Sequence, residues 1–224
     1  MNRLEGADVE YKGIMRTLAV LIAVAVAAGP APDPQARAIA RKVQAFYERT
    51  QDLRGRFEQT YTYAGLGRRQ VSQGTVLVKK PGRMRWDYEK PTRKTIAVVG
   101  SRLVQYEPEV NQAFVDERFD ATAMSAAVTF LLGQGSLEKE FEVAAGEGGT
   151  LVLTPRTPDP RVDSVTLAVG PDGEVTASTV VDGSGNVNAI VFRDLKRNTG
   201  LKDSEFDLKL PGDVRRVEMP GAGR

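Results

Sequence analysis

Between residues 83 and 89, Met84, Trp86 and Tyr88 alternate without exception with Arg83, Arg85, Asp87 and Glu89. Successive strand side chains point to opposite faces, so this segment must form a strand with one dry face and one wet face. The same period recurs along most of the chain. Phe57, Tyr61 and Tyr63 share a face, against Glu58, Thr60 and Thr62. Further strands are expected over 71–79, 94–99, 102–106, 112–115, 140–144, 150–154, 162–169, 174–181 and 187–195, giving eleven with the two above. Turn signals separate them, notably Pro81-Gly82, Gly100-Ser101, Asp172-Gly173 and Asp182 through Gly185. One large antiparallel sheet, curved or rolled, is the economical architecture.

Two segments depart from this period. Asp33 and Pro34 supply an N-cap and a first-turn proline. Ile39, Val43, Phe46, Tyr47 and Thr50 then recur at helical spacing, and this helix should end before Gly55. A second short helix is expected over 120–132, with Met124, Val128 and Leu131 among its apolar residues and Gly133 as its stop. The fold class is therefore mainly β with short helices (α+β). A concave apolar face lined by Phe57, Tyr61, Met84, Trp86 and Tyr88 would be partly covered by these helices. If they do not seal it, the face is a site for a hydrophobic ligand. If they do, they simply complete a dry core, and pattern alone leaves both readings open.

The amino-terminal stretch reads as a targeting segment. Met15 and Arg16 precede an eleven-residue apolar run over 18–28, followed by Gly29-Pro30-Ala31-Pro32. This is the pattern of a secretory signal peptide, and the run is shorter than the ~20 residues of a bilayer span. A membrane anchor is the alternative. Glu5, Asp8 and Glu10 make residues 1–14 a poor basic start, so translation is expected to begin at Met15. Cleavage is expected after Ala28, Ala31 or Ala36. The expected division is a signal peptide over 1–36, one domain over 37–214 and a fraying tail over 215–224.

Residue types that are absent narrow the chemistry. The chain has no histidine and no cysteine. It therefore has no His general base, His-dependent triad, thiol nucleophile, disulfide or thiolate metal site. An exported product cannot carry a lipid on an amino-terminal cysteine, and its domain is held by its core alone. Asp116 with Glu117, and Asp159 with Asp163, are the nearest carboxylate clusters, and both read as solvated surface. The segment 182–186 lacks the spaced acids of a calcium loop. Basic doublets are dispersed and flanked by acids, and the net charge is only +2, so nucleic acid is not an expected partner. No enzyme activity, metal or other cofactor is expected.

An ordered series of motifs carries a resemblance. Residues 53–60 (LRGRFEQT) and 73–86 (QGTVLVKKPGRMRW) come first. Then follow 106–112 (YEPEVNQ), 151–156 (LVLTPR), 165–173 (VTLAVGPDG) and 206–212 (FDLKLPG). Together they resemble the periplasmic outer-membrane lipoprotein carrier family (LolA) over nearly all of 37–214. The resemblance implies an incomplete antiparallel β-barrel of about eleven strands, with a helical lid over an apolar cavity. It implies a periplasmic carrier, expected as a monomer, that shuttles the acyl chains of lipoproteins. The donor would be an inner-membrane ABC-type release complex and the acceptor an outer-membrane lipoprotein receptor.

The resemblance also assigns residues. The family has an arginine before the proline of the turn at 80–82, which latches the lid to helix backbone; here that residue is Lys80. Lysine keeps the charge and loses the five-donor fork. The family's aromatic two residues before Trp86 is Met84, which still adapts to flexible chains. Ile39, Val43, Phe46, Met124, Val128 and Leu131 are the expected lid residues facing the cavity, with core packing as the competing role of each. The competing function is an exported module that senses lipid or lipoprotein in envelope signalling. An esterase-like hydrolase is a third class, disfavoured by the missing histidine.

Overall fold

The computed structural model describes residues 33–119 and 135–218. Helix α1 spans Pro34–Glu48. The Asp33 carboxylate caps it by accepting from the Gln35 amide at 2.8 Å, and Pro34 fills the first turn, where no amide donor is needed. The expected domain boundary at 37 thus falls inside the first turn of α1, where Ala36 is fully buried. A one-turn helix, α2, spans Leu137–Glu140. The lid helix expected over 120–132, and with it Met124, Val128 and Leu131, lies outside the described residues.

The strands are β1 (Asp52–Tyr63), β2 (Arg68–Lys79), β3 (Arg83–Lys90), β4 (Lys94–Val99), β5 (Arg102–Glu107), β6 (Gln112–Asp116), β7 (Phe141–Ala145), β8 (Leu151–Pro155), β9 (Ser164–Val169), β10 (Val175–Val181), β11 (Val187–Arg197) and β12 (Arg215–Glu218). All eleven expected strands are present, and they form one sheet in the order β12-β6-β5-β4-β3-β2-β1-β11-β10-β9-β8-β7. Its end strands do not pair with each other, so the barrel is incomplete. Hairpin neighbours dominate because short turns favour antiparallel pairing. The twelfth strand corrects the expectation of a fraying tail. Arg215–Glu218 pairs in parallel with β6, although its sequence carries no apolar alternation to announce it.

The β1–β11 ladder joins two meanders, β1 to β6 and β7 to β11. Gly55 lies between the Arg54–Lys196 and Arg56–Arg193 pairs, opposite both Asp194 and Leu195. This bulge puts Asp194 at φ +53° and turns Leu195 toward the face that carries Phe192. That inner face packs against α1 in the main core, where Val43, Phe46 and Tyr47 meet Phe57, Met84, Leu151, Leu153 and Val165. The outer face is covered differently. The segment after β11 crosses it, and Leu208, Leu210 and Val214 pack on Val104, Ala113 and Val115.

Candidate functional site

On the inner face, alternation brings the expected aromatics together. The register aligns Leu53, Val78 and Met84 in one row and Phe57, Gly74 and Tyr88 in another. Phe57 meets Trp86 edge-to-face with ring centroids 4.7 Å apart, and Tyr88 at 5.0 Å. Gly74 makes this possible: a Cβ there would strike the Asp87 carbonyl and come within 2.9 Å of the Phe57 ring. Across the β1–β11 ladder, Phe192 approaches Trp86 at 6.2 Å. Burial raises the Tyr88 hydroxyl to about 12, so it stays neutral in this apolar setting. Tyr61 lies apart: its ring stacks edge-to-face on Tyr63 at 4.6 Å, near the far end of β1.

From α1, Val43 and Phe46 are buried against this face and Ile39 is half-buried beside them. Arg197 stands over the Phe46 ring at 4.8 Å. The Tyr47 side chain is buried too, and burial raises its hydroxyl far above the usual range despite a hydrogen bond to the Val175 backbone.

Between α1 and the sheet a hollow of about 30 Å³ remains, lined by apolar Leu53, Val76, Val78, Met84, Trp86 and Phe192. Its polar rim is formed by Thr50, Gln51, Asp52 and Lys80. The hollow has room for at least one water. Among the described residues, α1 side chains Val43, Phe46 and Tyr47 cover the rest of the face.

Lys80 closes the rim. Its ammonium donates to the Tyr47 carbonyl in the last turn of α1, and its backbone amide donates to the Gln51 carbonyl at 2.8 Å. That helical turn has no basic residue of its own, so Lys80 supplies the cation that the carbonyl end of the dipole favours. Burial lowers the Lys80 pKa, partly offset by the Glu48 carboxylate.

Sequence reasoning did not single out Phe192, Leu195, Val175, Val76 or Val78. Phe192 and Val76 share the alternation of their own strands and were readable in principle. Leu195 was not, because the bulge at Asp194 breaks its phase. Among the described residues, no group of acidic side chains is placed to hold a metal ion.

The family model for the outer membrane lipoprotein carrier protein LolA matches residues 48–209. The chain belongs to this family. A LolA-family relative from Methylobacillus flagellatus, named outer-membrane lipoprotein carrier protein, is 30% identical over 173 residues, covering 75% of this chain and 83% of that one. One of the same name from Azotobacter vinelandii is 29% identical over 206 residues, covering 88% and 96%. Among solved structures, an uncharacterized conserved protein from Thermus thermophilus superposes with a TM-score of 0.51 at 12% identity. It covers 82% of this chain and 99% of its own, and shares the fold.

Proposed function

We propose that this LolA-family member is an exported, non-enzymatic carrier that takes lipoprotein acyl chains onto the face beneath α1. It would shuttle lipoproteins through the periplasm, from an inner-membrane ABC-type release complex to a receptor on the outer membrane. The observation that carries this reading is the placement of α1. An aromatic-lined sheet face is occupied by one amphipathic helix, and at the mouth of the remaining hollow Lys80 holds the end of that helix.

The magnitudes suit a carrier. Burying a large apolar side chain gains about 1.5–3 kcal/mol, so returning Val43, Phe46 and Tyr47 to water costs roughly 5–9 kcal/mol. An acyl chain with about fifteen methylenes gains about 12 kcal/mol when sheathed, at about 0.8 kcal/mol each. Cargo keeps only the difference between the open, loaded state and the closed, empty one. A closing lid therefore converts nearly irreversible burial into an exchange that an acceptor can drive, with no nucleotide bound to the carrier.

The test is to incubate the purified protein with spheroplasts. Lipoproteins should appear in the soluble fraction in complex with it. If none leaves the membrane, while an established carrier releases them in parallel, the shuttle reading fails. Retention of lipoprotein without handover to an acceptor would instead favour the sensing module.

A further inference from the structure

The β1–β2 hairpin ends in a feature that cargo binding does not use. β2 begins at Arg68, but its pairing with β3 begins at Gln73, so residues 68–72 have a ladder only on the β1 side. In the turn, Leu66 is 78% exposed, the most exposed large apolar residue among the described ones. Val71, on the projecting part of β2, is 49% exposed. Arg68 and Arg69 pair with β1 through backbone, and their exposed side chains make no hydrogen bond or ion pair among the described residues. Behind the turn stands the Tyr61–Tyr63 ring pair. Residues 59–71 contain no acid. The neighbouring acid is Asp182, whose carboxylate is engaged by the Ser184 and Asn186 amides in the adjacent turn.

Unpaired strand ends are often guarded by charge, which would account for the two arginines. A scattered exposed leucine is also ordinary. Neither account explains their combination on a projecting tip backed by two tyrosines. An aliphatic tip, tyrosines at its base and cations alongside is the composition that suits a lipid–water interface.

We propose that the β1–β2 tip is a contact site for an anionic phospholipid surface. Leu66 enters the acyl boundary while Arg68 and Arg69 hold lipid phosphates. β1 has twelve residues, so the tip lies roughly 35 Å along the sheet from the Lys80 rim. Contact at the tip leaves that rim free. The proposal stands whether or not the inner face carries acyl chains, because its test uses no lipoprotein.

The test is vesicle flotation of the compact unit Pro32–Arg224, which contains α1 and every described strand. Binding is expected to vesicles with about one-third phosphatidylglycerol, and not to phosphatidylcholine alone. Raising salt to about 0.5 M should release it. The double variant Arg68→Gln/Arg69→Gln should lower partitioning about thirty-fold, and Leu66→Ser about tenfold. Lys209→Gln, an exposed charge elsewhere, should leave binding unchanged, and thermal melts should show each variant folded. Absence of binding to the anionic vesicles overturns the proposal, as does wild-type binding by both tip variants.

Discussion

The Lys80 ammonium, from the turn after β2, donates to the Tyr47 carbonyl in the last turn of α1. A hydrogen bond to a charged group contributes about 1.5–3 kcal/mol, and this one exists only while α1 is seated. Lys80→Leu should lower the unfolding free energy of the empty protein by about 1–2 kcal/mol in urea titrations. With the closed state weakened, cargo should be held longer and transfer to an acceptor should slow. Lys80→Arg should preserve both properties. Unchanged transfer rates for Lys80→Leu would remove the latch role.

Asp52 is 5% exposed and accepts from the Thr199, Gly200 and Leu201 amides and the Thr199 hydroxyl. Burial alone would raise its pKa, yet these bonds outweigh burial and hold the carboxyl below its usual 3.8. A carboxylate depressed in the folded state adds stability that is fully present above the unfolded value. That stability is lost as pH falls through the lower folded value. Unfolding free energy should therefore drop between about pH 5 and pH 2, and Asp52→Asn should flatten that drop. At neutral pH Asp52→Ala should cost about 3 kcal/mol by denaturant titration.

Gly74 leaves room for the Phe57 ring. Gly74→Val has good strand propensity, yet its side chain would strike the Asp87 carbonyl and that ring. We expect destabilisation by about 2–4 kcal/mol and loss of the Trp86 near-ultraviolet dichroism. A variant as stable as the wild type would show that the aromatic row repacks freely.

Asp33 accepts from the Gln35 amide with one oxygen and from the Ala145 amide at 3.2 Å with the other, tying the start of α1 to β7. Asp33→Ala should cost about 1 kcal/mol in thermal melts. Among the three expected cleavage positions, Ala36 would remove this cap, so amino-terminal sequencing of exported protein should find the cut after Ala28 or Ala31.

The strands were legible because a half-wet sheet forces apolar residues to alternate; nothing in 83–89 interrupts that period, and only Gln59 does so in 57–63. Phe57, Met84, Trp86 and Tyr88 fell on one face for the same reason. β12 was hidden because Arg215 through Glu218 pair through backbone alone. Leu195 was hidden by a single inserted residue. Phe192 and Val175 join the site only through the β1–β11 ladder, which closes between residues more than a hundred positions apart and leaves no local trace. The role of Lys80 came from family resemblance; its own neighbourhood reads as an ordinary turn.

The two meanders exchange their ends. The first gives α1 to the inner side of β7 and β8, and the second returns its carboxyl segment to the outer side of β1 to β6. Neither half completes its packing alone. A growing chain cannot bury Asp52 with its partners until residues 199–201 are also present. Closure of the domain is thereby deferred to the end of the chain, and everything before it stays pliable until then.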